Sequence, residues 1–355
     1  MPHGPQPHTR LGAPWAFLLA LLNVAAVEVF LHTRDPMTLI AYASDEGMYH
    51  AVKDTVAAQG AAEVALVGSS QMREGVVMPT LTAELEKKVG RPVRVANYAV
   101  RGARLDVMAA EVRFLLKQKN PPKLIVVGVS PRDVRAEEYD WPRVALFWNS
   151  RDWWRAFRRS GWETTDVLPV VIRNEAGRVL ASLRYREELS MKAQRLFGVD
   201  TPEEGNPILG QVVLQHEGSR GIRTMVNPAA AMRKIIDRVA PTYLFDKSPK
   251  PPQAMRTALH DLTTAFAANP GGGLLVQMPV APALQDAIDK ARQSRPFHAL
   301  VSEEAKTAGV VYLPVGDQSF RATNEHFSDL QHLNRRGADA FAIWLSGEIA
   351  QRLKP

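Results

Sequence analysis

The stretch Val64-Ala-Leu-Val-Gly-Ser-Ser-Gln-Met-Arg-Glu-Gly75 decides how the rest of the chain is read. Four apolar residues lead straight into Gly68-Ser69-Ser70, and a polar segment that reads as a helix start follows. A short apolar run bounded by turn signals predicts a strand covered on both faces. Open α/β sheets carry their ligands outside the strand C-termini, so a Gly-Ser-Ser turn at that edge is a good place for a nucleophile. Gly and Ser also suit any strand-to-helix turn, Gly by tolerating unusual backbone angles and Ser by capping. The motif therefore gains meaning only from partners elsewhere in the chain.

Outward from this stretch the chain alternates. Helical spacing over Met48–Gln59 precedes the first strand, Glu63–Val67, and Met78–Val89 follows it as a helix that tolerates Pro79 near its start. Val93–Val100 is a second strand, Leu105–Gln118 an amphipathic helix, and Lys123–Ser130 a third strand of continuous apolar character. The rhythm returns downstream with a helix over Met255–Ala268 and a strand over Gly273–Val280. Helical material over Ala283–Ala308, interrupted near Pro296, then leads to a fifth strand over Val310–Val315. A last helix runs from about Asn334, a suitable N-cap, to about Leu353. Strands and helices in this order predict a doubly wound, flavodoxin-like, five-stranded parallel sheet in residues 35–355. Residues 134–254 break the alternation and read as an insertion or cap.

The insertion has its own signature. Trp141, Trp148, Trp153, Trp154 and Trp162 are interleaved with Arg143, Arg151, Arg155, Arg158 and Arg159. Such a mixture suits a membrane interface, a groove stacking sugar rings on Trp148, Trp153 and Trp154, or a small core of buried indoles with solvated guanidiniums. Lys247-Ser-Pro-Lys-Pro-Pro252 then reads as a stiff linker back to the sheet.

The N-terminus bears on compartment. Leu11–Leu31 is mostly apolar and long enough to cross a bilayer, although Asn23 and Glu28 interrupt it. Residues 1–34 are expected to be a cytoplasmic tail and a single-pass anchor in the cytoplasmic membrane, which leaves the rest of the chain outside the cytoplasm. A signal peptide cut near Val24-Ala25-Ala26, which would make the protein secreted, and a buried helix of a soluble protein are the alternatives. The formal charge of +7 favours an anionic neighbourhood, but no nucleic-acid module is present and the basic residues are dispersed, so nucleic acid ranks last as a partner. The absence of cysteine excludes disulfides, thiolate metal sites and a Cys nucleophile.

The partners for the opening motif lie in Phe327-Ser-Asp-Leu-Gln-His-Leu-Asn-Arg-Arg-Gly337, between the fifth strand and the last helix. Asp329 and His332 are three apart, so one helical turn would set both side chains on one side. A carboxylate that holds one tautomer of a His lets the ring take a proton from a serine hydroxyl. This loop follows a terminal strand and opens at the same sheet edge as Ser70. Ser70, His332 and Asp329 are the parts required for acyl transfer through a covalent intermediate. His216, His260, His298 and His326 show no metal-ligand spacing, and neither a metal nor a cofactor is expected. Asp133, near the third strand's end, could line the pocket, although a turn or cap suits it better, and Gly271-Gly-Gly273 precedes a strand instead of following one, which disfavours a phosphate loop.

In these motifs the chain resembles the SGNH (GDSL-like) hydrolases. That superfamily carries Gly-Asp-Ser after the first strand, Gly after the second, Gly-x-Asn after the third and Asp-x-x-His before the last helix. The corresponding residues here are Gly68-Ser69-Ser70, the Asn97–Gly102 stretch, Gly128-Val129-Ser130 and Asp329 with His332, over about 63–133 and 273–352. The resemblance implies Ser70 as nucleophile, His332 as base and Asp329 as its orienting acid. It also implies an oxyanion site built from the amides of Ser70 and Gly102, with Ser130 standing where the family has Asn. Ser69 stands where the family usually has Asp. With an N-terminal anchor, the pattern is similar to envelope branches such as the D-alanyl transfer protein of teichoic acid synthesis and the proteins that O-acetylate exported polysaccharides. The implied activity is a serine esterase or O-acyltransferase on a cell-envelope glycan, with a membrane-bound acyltransferase as a partner. A non-catalytic binding or assembly subunit on the same fold is the alternative, favoured by Ser130. Arg73 and Arg101, after the first two edge turns, are weaker candidates for contact with an anionic substrate.

Overall fold

The computed structural model describes residues 13–33, 45–160, 167–177, 179–196, 236–243, 251–269, 271–291, 294–315 and 320–353. The N-terminal tail, Arg34, Asp35, Trp162, His216 and most of the expected Lys247–Pro252 linker lie outside them.

Five parallel strands, β1 (Val64–Val67), β2 (Val95–Asn97), β3 (Leu124–Val129), β4 (Gly273–Gln277) and β5 (Val311–Leu313), form one sheet in the order β2-β1-β3-β4-β5. Register is set by pairs such as Leu66↔Asn97, Val67↔Val127 and Val129↔Gln277. Every residue of β1 and β3 is buried, as their unbroken apolar runs require of strands covered on both sides. Alternation does the sorting: Ala65 and Val67 face one core, Val64 and Leu66 the other. The first core is closed by α2 (Asp45–Gln59), α5 (Leu105–Leu116), α11 (Gln253–Ala267) and α13 (Ser294–Thr307). The second is closed by α3 (Ser70–Gly75), α4 (Met78–Val89), α12 (Pro282–Lys290) and α14 (Arg335–Leu353).

The strands are shorter than the apolar runs suggest. β2 ends at Asn97 as a strand, although Tyr98 N–H still donates to Leu66 O at 2.8 Å and Val100 N–H to Gly68 O at 3.0 Å, while Asn97 Oδ1 takes the intervening Ala99 N–H at 3.1 Å. The helix expected to break near Pro296 breaks earlier, after Lys290, and Pro296 sits in the first turn of α13, where its missing N–H leaves no helical bond unmade.

Within the insertion the regular elements among the described residues are helical, among them α6 (Trp141–Ala145), α7 (Ser150–Ser160), α8 (Leu168–Ala176), α9 (Ala181–Arg184), α10 (Arg186–Leu196) and a 3₁₀ turn at Ala240–Tyr243. The N-terminal helix α1 (Ala13–Thr33) is long and apolar enough to span a membrane, and almost all of its length is exposed. Only its last turns meet the domain, where Leu31 enters the first core. Asn23 and Glu28, which interrupt its apolar run, each have partners. Asn23 Nδ2 donates to Leu19 O at 2.8 Å, and Glu28 accepts the amides of Ala181 at 2.6 Å and Ser182 at 3.0 Å, capping α9.

Candidate active site

β1 delivers the chain to the sheet edge, and α3 begins at once with Ser70. An amide in the first turn of a helix has no intrahelical acceptor, so Ser70 N–H is free to face a ligand. Gly68 is required by close approach and not by an unusual backbone angle: a Cβ there would stand 2.6 Å from Met72 Cβ. Asn97, at the end of β2, fastens the far side of α3 by donating to Met72 O at 3.2 Å and Arg73 O at 3.4 Å. The nucleophile turn is therefore held at both ends by buried groups.

The histidine arrives on a closed loop instead of a helical turn. Phe327 and Leu333 form an antiparallel bridge, and Ser328 N–H donates to His332 O at 3.0 Å across its neck. Inside the loop Asp329 Oδ1 accepts the amides of Gln331 at 2.7 Å and His332 at 2.8 Å, folding the carboxylate back over the ring. Asn334 anchors this loop to α14: its Oδ1 accepts Gly337 N–H at 3.0 Å as N-cap, while its Nδ2 donates to Glu325 O at 2.6 Å and Phe327 O at 3.3 Å.

These two edges bring the predicted residues together. Ser70 Oγ lies 2.9 Å from His332 Nε2, and His332 Nδ1 lies 2.9 Å from Asp329 Oδ2. With the ring proton on Nδ1 facing Asp329, Nε2 accepts from the serine hydroxyl. Burial raises the Asp329 carboxyl, but the hydrogen bond and charge of His332 and the two loop amides overcome it and bring the group down to about 2. The carboxylate is thus ionised and aimed at the ring. A triad requires this arrangement of nucleophile, base and orienting acid.

The oxyanion side is less complete. Gly102 adopts φ 70°, which favours glycine, and its N–H donates to no other group among the described residues. Arg143 Nη1 donates to Gly102 O at 3.3 Å and steadies that turn. Ser130 is fully buried, and both its amide and its hydroxyl donate to Asp133 Oδ2 at 2.8 Å in a capping box. The Ser130 hydroxyl is therefore committed to Asp133. Burial pushes the Asp133 carboxyl up to about 7, against the lowering effect of the two Ser130 bonds and Arg132.

Beside Ser70 opens a cavity of about 840 Å³. Ser69, Ser70 and Gly102 line it, and the 131–143 segment supplies most of the rest, including Arg132, Arg135 and Arg143 together with Asp133, Glu137, Glu138 and Asp140. Tyr139 lines it too, stacked on Trp141 with ring centroids 4.6 Å apart. The wall is polar and mixed in sign, which fits a ligand rich in hydroxyl and carbonyl groups.

The weaker sequence candidates fall elsewhere. Arg73 is buried with Nη1 against Met48 Sδ, and burial, aided by Arg101, brings its guanidinium down to about 10. Neither Arg73 nor Arg101 lines the cavity. Trp148, Trp153 and Trp154 also stand away from it. Trp148 and Trp153 pack against a small core of Ala145, Val167 and Val171, while Trp154 is exposed. Among the described residues no three His, Asp or Glu side chains gather as a metal-holding group. Sequence reasoning passed over Asn97 as a brace, Asn334 as an anchor of the loop and, apart from Asp133, the charged 131–143 wall. Asn97 and Asn334 flank the motif residues, and an Asn beside a turn is a signal for local backbone capture. The wall had no such signal.

Comparison with protein-family models and with curated proteins finds no match to this chain.

Proposed function

We propose that this protein is a serine acyl-transfer enzyme of the SGNH type, held at the cytoplasmic membrane with its catalytic domain outside the cytoplasm. The observation that carries the reading is the continuous Ser70–His332–Asp329 hydrogen-bonded chain at the sheet edge, with 2.9 Å at both links. The strand order β2-β1-β3-β4-β5 supports it, being the order of flavodoxin-like doubly wound sheets, which place ligands at this edge.

In the proposed reaction Ser70 Oγ attacks the carbonyl carbon of an O-acyl ester as His332 Nε2 takes its proton. The amides of Ser70 and Gly102 hold the tetrahedral oxyanion. Collapse expels the alcohol, which leaves with the proton from His332, and the acyl group stays on Ser70. An acceptor hydroxyl, or water, then attacks the acyl carbonyl as His332 takes its proton, and the second tetrahedral intermediate collapses by releasing Ser70 Oγ, which takes that proton back from His332. The polar cavity is where such a donor or acceptor would lie, and a cell-envelope polysaccharide with O-acyl groups is the substrate class the resemblance favours. A membrane-bound acyltransferase is the partner that would supply or receive acyl groups.

A second reading rests on Ser130. With its hydroxyl held by Asp133, the third oxyanion donor of the family is missing, and a lost donor costs about 2.7–4 kcal/mol of transition-state stabilisation. The same fold would then serve as a binding or assembly subunit of a polysaccharide-modifying machine. Treatment with a fluorophosphonate separates the two: the enzyme reading expects a single adduct that disappears in Ser70→Ala. No adduct on the parent, or an equal adduct on both proteins, refutes it. A C-terminal phosphatase reporter that stayed inactive would refute the extracytoplasmic placement.

A further inference from the structure

We propose that the outer face of the insertion, on α7–α9, is a second membrane contact, seated in the lipid interface beside the point where α1 enters the bilayer. The inference concerns lipid and does not rest on the serine chemistry.

Three observations lead there. First, the insertion is fixed to the apolar helix and to the domain at once. Glu28 of α1 caps α9 through the amides of Ala181 and Ser182, and one residue past α9 Tyr185 donates to Asp54 Oδ2 of α2 at 2.7 Å, beside an ion pair between Arg184 and Asp54. α9 packs along α1, and α8 packs against both α7 and α9, so these elements form one continuous surface leading away from the anchor. Second, that surface is apolar where water would be expected. Val179 is 71% exposed, Ile172 58% and Trp154 50%, with Leu180 and Leu183 also exposed between them. Val29 and Phe30, in the last turns of α1, are exposed too. An apolar surface continuous with a membrane-spanning helix is covered most simply by the same bilayer.

Third, α7 has the composition of an interfacial helix. Arg151, Trp154, Arg155 and Arg158 recur at helical spacing and all four are exposed, which puts one indole among three guanidiniums on a single face. The opposite side turns Trp153 into the small core of Val167 and Val171. Arg155 approaches Asp152 at 4.0 Å, while Arg151 and Arg158 make no ion pair among the described residues. Guanidiniums around an indole match phosphate head groups above an acyl boundary. Of the three sequence readings of the Trp/Arg stretch, the core reading fits Trp153 and the interfacial reading fits Trp154.

The sheet fixes the orientation. α1, α2 and the insertion's α6, α8, α9 and α10 lie on the side of the first core, whereas its 3₁₀ turn at Ala240–Tyr243 and α14 lie on the side of the second. The first core therefore faces the bilayer, and Ile343 on α14, also exposed, faces away.

The chain has no cysteine, so single labels can be placed without background. Full-length Val179→Cys, Ile172→Cys and Ile343→Cys would each carry a nitroxide and be reconstituted into phosphatidylethanolamine–phosphatidylglycerol vesicles. Collision with oxygen, which concentrates in lipid, is compared with collision with a water-soluble nickel chelate. The expected result is an oxygen-to-nickel ratio severalfold higher at positions 172 and 179 than at 343. Equal ratios at all three overturn the proposal. So does spin–spin broadening at position 179 that disappears on dilution with unlabelled protein, because the occupant would then be a second copy. A label-free check uses vesicles of brominated lipid: Trp154→Phe should show a smaller quenched share of tryptophan fluorescence than the parent, and an unchanged share also overturns it.

Discussion

Replacing Asn334 by alanine removes three hydrogen bonds that tie the His332 loop to the last helix. One is the N-cap bond from Gly337 N–H, and caps of this kind are worth about 1 kcal/mol. The other two satisfy the carbonyls of Glu325 and Phe327, each worth about 1 kcal/mol net. The side chain is buried, so water does not readily replace the lost donors, and the total comes to about 3 kcal/mol. Urea unfolding of the full chain in detergent should show a lower midpoint with an unchanged slope. Asn334→Ser keeps a capping oxygen but has no amide to reach the two carbonyls, so it should recover about 1 kcal/mol of the loss. The loop that Asn334 holds also positions His332 against Ser70, so fluorophosphonate labelling of the folded variant should slow as well. An Asn334→Ala midpoint within about 0.5 kcal/mol of the parent would refute the accounting. A destabilised variant that labels at the parental rate would show instead that the loop holds its own shape.

Two further outcomes concern the carboxylates. Asp329→Asn should slow labelling by about 10⁴-fold, the effect of losing the orienting carboxylate in a serine triad. Because the Asp329 carboxyl sits at about 2 when folded, its stabilising contribution is present above the ordinary value for an unfolded Asp and is lost as pH falls toward 2. The melting points of parent and variant should therefore converge in strong acid, and a gap that stayed constant would contradict this. Asp133 has the opposite sign. Its carboxyl is raised to about 7, so between the unfolded value of roughly 4 and 7 the unfolded chain sheds its proton first, and folding weakens as pH rises. Asp133→Asn should flatten that slope, measured as the difference in melting temperature from the parent across the interval. An identical slope in both would mean that Asp133 is not protonated in the fold.

Much of the architecture was legible because hydrophobic periodicity is local. Apolar-rich segments bounded by turn signals marked all five strands, and Met78–Val89 is a helix over the residues its spacing indicated. Strand ends were less legible, since around Asn97 a side chain takes one amide while its neighbours still bond to β1, a detail the apolar pattern does not encode. The Asp329–His332 pair was legible in spacing but not in mechanism. A helical turn would have juxtaposed them, yet the structure does it with a bridged loop whose amides bind the carboxylate. Glu28 looked like a flaw in an apolar helix until α9, more than 150 residues later, supplied its partners.

By itself, then, the sequence determined the alternation of strands and helices, the apolar N-terminal helix, and Ser70 and the Asp329–His332 pair as the residues to watch, because each depends on neighbours a few positions away. Only the tertiary structure decided that Ser70 and His332 meet at 2.9 Å, that the Ser130 hydroxyl belongs to Asp133, and that the insertion grips α1 through Glu28. The first and last of these join residues far apart in the chain, through strand order and layer packing. The middle one depends on which way a single hydroxyl turns inside a buried cap. Spacing constrains which residues can be close; the direction of a side chain, and so its partner, is set by everything packed around it.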